Sequence, residues 1–179
     1  MRKVILTFGL LAGAIISIIM ITGIALYEKG MMTGYFSEFV GYATMVIALS
    51  MIFFGIKSYR DNYQKGAINF WKGVQVGLLI AVIASLMYAI TWEVYSQTRP
   101  AGPAFFMEKY ADSVINKLKE KGAPADEIDQ KVKDMEYYKR IYRNPVFRFG
   151  MTLIEILPVG IIITLISAAV LRKKEFLPV

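Results

Sequence analysis

The 179-residue chain contains no cysteine and no histidine. Disulfides, thiolate nucleophiles, imidazole bases and the usual zinc ligand sets are therefore excluded. Also absent are a phosphate-binding glycine loop, a paired-histidine metal motif and a Gly-x-Ser-x-Gly elbow. Acid–base catalysis by Glu, Asp or Tyr remains possible in principle, and nothing points to it. The sequence thus suggests neither catalytic residues nor a metal or cofactor, and the expectation is a non-enzyme. Charge is sparse as well: charged residues make up 20 % of the chain and crowd into a few segments. What fills the remainder is apolar, at 56 % hydrophobic residues and a mean hydropathy of +0.47. That is the composition of a membrane protein, with the lipid bilayer as its first partner.

Because unpaired backbone groups are not tolerated in hydrocarbon, crossing a core of about 30 Å takes about 20 apolar helical residues. Four stretches meet this requirement: 4–26, 39–56, 73–92 and 149–171. Gln75 and Glu155 are the polar intruders in the last two. The first stretch also invites reading as a secretory signal, since Arg2 and Lys3 precede it and Gly23-Ile24-Ala25 is a small-x-small triplet. Its run is too long for such a signal, however, and the triplet lies inside the run. The sequence therefore predicts an all-α protein with four transmembrane helices in a single membrane domain, 1–179.

Basic residues set the threading. Arg2 and Lys3, then Lys57, Arg60, Lys65 and Lys72, then Arg172, Lys173 and Lys174 all fall on one side of four spans, which the positive-inside rule makes cytoplasmic. Both termini are then cytoplasmic. The short loop with Glu28, Lys29 and Glu38 lies outside, as does the long segment between the third and fourth spans. Its eleven Lys and Arg weigh little, because long loops translocate largely regardless of charge.

That outer segment reads as a helical hairpin over 103–143. Arg99-Pro100-Ala101-Gly102-Pro103 breaks the chain as it leaves the third span. Phe106, Tyr110, Val114 and Leu118 then recur every four residues on a charged background. Gly122 stops this helix, and Pro124 with Asp126 and Glu127 suits the first turn of the next. Ile128, Val132, Met135, Tyr138 and Tyr142 make the second stripe, after which Asn144-Pro145 caps and opens the fourth span. Tyr137, Phe147 and Phe149 join Tyr138 and Tyr142 as aromatics for the headgroup level. The arm either packs on itself against the membrane or offers a docking surface to another protein.

Within the spans, small residues recur every four positions: Gly9, Gly13 and Ser17 in the first, and Gly73, Gly77, Ala81, Ser85 and Ala89 in the third. Small side chains allow close helix contact in lipid, so these rows serve packing inside the bundle or self-association into a homo-oligomer. A four-residue row drifts about 40° per step and suits a crossing partner. Glu155 lies roughly 9 Å beyond Phe149 at 1.5 Å per residue, in the outer half of the bilayer. Ionisable residues at such depth mark functional sites by default. Pro158 leaves the Ile154 carbonyl free, and a kink there opens room for a polar pocket. Glu155 is then a protonated acid hydrogen-bonded within the bundle, a proton or cation site, or half of an ion pair. Glu93, near the outer boundary, could join Glu155, Glu28 and Glu38 in an acidic rim.

The basic and aromatic run Lys57–Tyr63 is read as an inner loop lying on the membrane surface, with Phe70 and Trp71 at the headgroups. So short a stretch does not call for nucleic acid.

Three runs carry a family resemblance: Gly55-Ile56-Lys57-Ser58-Tyr59-Arg60-Asp61-Asn62-Tyr63-Gln64, then Tyr142-Arg143-Asn144-Pro145, then Leu153-Ile154-Glu155-Ile156-Leu157-Pro158-Val159-Gly160. Together they resemble a bacterial membrane family known as domain of unknown function 4199, over nearly the whole chain. The resemblance implies a four-span protein of the bacterial cytoplasmic membrane and supplies no activity or site residue. The functional expectation is a non-enzymatic scaffold or accessory subunit that binds a partner protein. The alternative is a small transporter or proton-coupled device using Glu155.

Overall fold

A computed structural model describes residues 1–28, 35–98 and 102–173, without the side chains of 27, 28 and 35–38. The loop acids Glu28 and Glu38 with Lys29, the break at Arg99–Ala101, and Lys174 therefore lie outside the described positions or side chains. Seven helices follow in order: α1 (Arg2–Glu28), α2 (Tyr35–Leu49), α3 (Met51–Tyr63), α4 (Phe70–Gln97), α5 (Pro103–Glu120), α6 (Ala125–Tyr142) and α7 (Pro145–Leu171). Four segments are long and apolar enough to cross a membrane: Arg2–Leu26, Phe39–Tyr63, Phe70–Gln97 and Pro145–Leu171. The chain is all-α, with no strand among the described residues beyond one isolated backbone bridge.

The second span is built from two helices, because the hydrogen-bond ladder changes step at Ser50. The Ser50 hydroxyl donates to the Ile47 carbonyl at 2.6 Å, and the Phe53 N–H donates to the Ser50 carbonyl three residues back. A hydroxyl that bonds back onto its own helix competes with the regular four-residue pattern and bends it. The run Lys57–Tyr63, read above as a loop, is instead the second half of α3. No Gly or Pro separates Ile56 from Gln64, Ile56 and Tyr59 are buried, and Tyr59 stacks on Tyr63 at 5.8 Å. The chain turns only at Lys65 and Gly66, both at positive φ. Span three also begins earlier than expected, since the Asn69 side chain accepts the Lys72 N–H at 2.8 Å and caps α4.

Two compact units are present. One comprises the described parts of Met1–Ala89 and Leu153–Val179; the other is Ile90–Thr152. In the first, α1 packs on α2 and α3. Ala12, Leu49, Ile52, Ile56, Val76 and Ile80 are fully covered there. Aliphatic side chains such as Ile18, Ile47, Ile162 and Val170 stand more than half exposed around them. Greasy surface of that extent marks an interaction with lipid or protein.

In the second unit α5 and α6 pack as a hairpin. Gly122 adopts φ +70°, and the Ala123 and Gly122 N–H groups bond back to the Leu118 and Lys119 carbonyls. This is a Schellman ending, which needs a residue without a β-carbon. The buried contacts are Ala111 and Met135. Tyr110 and Tyr138 point outward, contrary to the two stripes drawn above, of which the α5 stripe follows four-residue spacing. A helix turns every 3.6 residues, so a strict row of fours rotates off the contact and Ala111 takes the place of Tyr110.

Candidate functional site

Glu93 stands near the end of α4 and Arg148 in the first turn of α7, both within the second unit. Arg148 enters the helix because the Asn144 side chain accepts the Val146 N–H at 2.9 Å and Pro145 supplies the first helical residue. Arg148 is 1 % exposed, and its guanidinium grips the Glu93 carboxylate with both prongs. Arg148 Nε donates to Glu93 Oε2 at 2.7 Å and Nη2 donates to Oε1. The third nitrogen, Nη1, donates to the Tyr142 carbonyl at 2.8 Å, at the end of α6. Gln97 Nε2 adds a 3.2 Å bond to Glu93 Oε1. Trp92 Nε1 donates to the Tyr142 hydroxyl at 2.9 Å, and the Trp92 ring lies 4.8 Å from that of Phe106 in α5.

One buried cation whose three nitrogens are all occupied ties three helix ends, those of α4, α6 and α7, and Trp92 adds α5 through Phe106. Forked pairing of guanidinium with carboxylate is the geometry that justifies burying an arginine. Both Glu93 oxygens accept these bonds, three in all. The chemistry of the group is that of a clamp. Sequence reasoning placed Glu93 near the boundary but gave Arg148 no role, counting it among eleven basic residues of a long loop. The signal was there: Arg148 is the single cation inside the first three turns of α7, embedded among Val146, Phe147, Phe149 and Met151. Its partner, 55 residues away, was not legible. Glu93 is therefore paired with Arg148, and the side chains of Glu28 and Glu38, the other acids of the expected rim, lie outside the described residues.

Glu155 and Pro158 belong to the other unit. Both are exposed, and α7 continues through Pro158 without interruption. Exposed Ile162 and Ile166 continue the same face at helical spacing. Glu155 makes no hydrogen bond or ion pair among the described residues. The readings of Glu155 as a bundle-internal hydrogen bonder or half of an ion pair therefore find no partner among the described residues. The covered face of α7 is lined by Ile156, Gly160, Thr164 and Ala168.

The small residues meet defined neighbours. A β-carbon placed on Gly9 would stand 2.8 Å from the Ile83 Cβ, and one on Gly13 2.7 Å from the Met87 Cβ, so α1 runs backbone-close along α4. Gly73 faces Ala168, Gly77 faces Thr164 and Ala81 faces Gly160. As the numbers rise by four on α4 they fall by four on α7, an antiparallel interlock of small residues. These glycines are thus occupied inside the chain.

The family model described as protein of unknown function (DUF4199) matches residues 7–173, and the chain belongs to that family. No curated protein and no solved structure matches it.

Proposed function

We propose that this member of a family of unknown function is a non-enzymatic accessory subunit of a membrane assembly, docking a partner's transmembrane helix on the outward face of α7 with Glu155 as the polar contact. The observation that carries the reading is the outward placement of an unpartnered carboxyl among Ile154, Ile162 and Ile166. An acidic side chain in a spanning helix carries an insertion cost that rises to roughly 2.5–3.5 kcal/mol at the helix centre. A hydrogen-bond donor on a neighbouring span offsets that cost. A transport role for Glu155 draws less support from the same geometry, because the side chain faces away from its own bundle. Four spans without an internal repeat also differ from many carriers.

The chain is free of cysteine, so a single Ile162→Cys places a unique cross-linking handle on this face. In native membranes a discrete adduct of fixed mass is expected, retained with Glu155→Gln, which keeps hydrogen bonding, and lost with Glu155→Leu. An adduct of twice the chain mass identifies the partner as a second copy. An adduct unaffected by Glu155→Leu removes Glu155 from the contact. Liposome flux abolished by Glu155→Gln would replace the docking reading with the proton-coupled one.

The basic clustering further supports a threading with both termini inside and the α5–α6 hairpin outside, and the family resemblance implies a bacterial cytoplasmic membrane. Single cysteines test this: Asp126→Cys is expected to react with an impermeant maleimide in intact cells, and Asn62→Cys only after permeabilisation. The reverse pattern inverts the threading.

A further inference from the structure

Between α1 and α3, within the first unit, runs an open groove of about 560 Å³. Its chemistry changes along its length. Phe8 and Leu11 on α1 and Met51 and Phe54 on α3 line one end. Lys57, Ser58, Asp61 and Asn62, the next turns of the same α3 face, line the other. From Met51 to Asn62 the rise is about 17 Å at 1.5 Å per residue. Its apolar part, from Met51 up to Lys57, accounts for about 9 Å of that rise, against about 15 Å for half of a hydrocarbon core, so it occupies the headgroup-proximal part of one leaflet.

The polar end is set for a phosphate. Lys57 makes no hydrogen bond or ion pair among the described residues. Asp61 is held by Arg60 at 2.7 Å, which offsets the one anionic charge in the groove. Asn62 Nδ2 donates to Ser58 Oγ at 3.2 Å, leaving the Ser58 hydroxyl proton and the second amide proton free to donate outward. An ammonium, a hydroxyl and an amide therefore converge where an apolar channel reaches its polar limit. Lys57, whose charge also acts on Asp61 one helical turn on, complements a phosphodiester beside these neutral donors.

We propose that this groove is a binding site for one membrane glycerophospholipid, an acyl chain lying along Phe8, Leu11, Met51 and Phe54 and the phosphodiester held by Lys57, Ser58 and Asn62. The site rests on the spans lying in lipid and is independent of the docking face on α7. It differs from the general lipid annulus in having a fixed headgroup position and a stoichiometry of one.

The full chain is purified in dodecyl maltoside and examined by native mass spectrometry with added palmitoyl-oleoyl phosphatidylglycerol. One lipid is expected to persist at activation energies that strip all others. Lys57→Ala combined with Ser58→Ala is expected to weaken that retention about tenfold or more, the size of a lost charge-assisted hydrogen bond. Lys72→Ala, which removes a half-buried cation at the same basic end but outside the groove, bonded there to Gln75 Oε1 at 2.9 Å, is expected to leave it unchanged. Leu11→Trp fills the apolar channel and is expected to abolish retention with the polar end intact, which keeps the test open should the double variant fail to fold. Inorganic phosphate is expected not to displace the lipid; displacement would assign the site to free phosphate instead. A ladder of lipids with no persistent first one, the same in every variant, means annular lipid only and overturns the site.

Discussion

Glu93→Gln is expected to lower the thermal midpoint of the purified protein in detergent by on the order of 10 °C, and Arg148→Met to lower it by less. The reason is the asymmetry of the clamp. The Arg148 side chain is 2 % exposed and that of Glu93 26 %. Removing the carboxylate strands a charge that cannot reach water, and breaking a buried pair from one side costs roughly 3–5 kcal/mol. Removing the guanidinium leaves a carboxylate with partial access to water and with Gln97 still bonded to it. Arg148→Met keeps most of the volume, so a large cavity does not confuse the comparison. Replacing both partners, as Glu93→Leu with Arg148→Met, is expected to recover most of the loss, because an apolar pair of similar size carries no desolvation cost. Trp92, bonded to the Tyr142 hydroxyl beside the clamp, reports the local transition by fluorescence once Trp71 is changed to Phe. A Glu93→Gln protein that melts within about a degree of the parent would show that the pair contributes nothing to holding this unit together.

The clamp also marks the limit of what the chain discloses on its own. Span count, hairpin and caps were legible because each rests on local chemistry: apolar length, Gly122 at a position needing positive φ, and Asn144 before Pro145. The rows through Gly9 and Gly73 were legible as close-packing surfaces. Which helix each row meets was not, since spacing describes one face and the partner lies dozens of residues away. Arg148 was hidden by the same gap, its carboxylate being 55 positions upstream. Glu155 shows the converse limit. Its cost in lipid is evident from type and depth, but whether a helical position faces the bundle or its surroundings depends on the crossing geometry of α7. The four-residue stripe of α5 failed at Tyr110 for a related reason, being a pattern close to but not equal to the helical repeat. The run after Ile56 was misassigned because polarity was taken as the end of a helix, when only the end of its apolar portion was signalled.

Gly77→Ala is expected to destabilise the protein by about 1–3 kcal/mol, the usual cost of overpacking a full interior. Its new methyl carbon would lie 2.6 Å from Thr164 Cγ2 and 3.0 Å from Thr164 Oγ1. The third neighbour, Ile56 Cδ1 at 3.0 Å, is the tip of a flexible side chain and can yield. Thr164 cannot yield so readily, being β-branched on a helix and fully buried. Its hydroxyl has no hydrogen-bond partner among the described residues, so packing alone holds it there. Thr164→Ala removes both crowding atoms at once. In the double variant the alanine methyl takes up part of the space the threonine vacated, and the two changes together are expected to cost less than their sum. Such non-additivity is the signature of direct contact. Gly23→Ala supplies the contrast: nothing lies within 4 Å of its β-position, and it is expected to be neutral or to stabilise by up to about 1 kcal/mol through helix propensity. Unfolding in mixed dodecyl maltoside and dodecyl sulfate micelles measures all four proteins on one scale. Additive costs at Gly77 and Thr164, or equal behaviour of Gly77→Ala and Gly23→Ala, would mean that α4 and α7 do not meet backbone-close along this row.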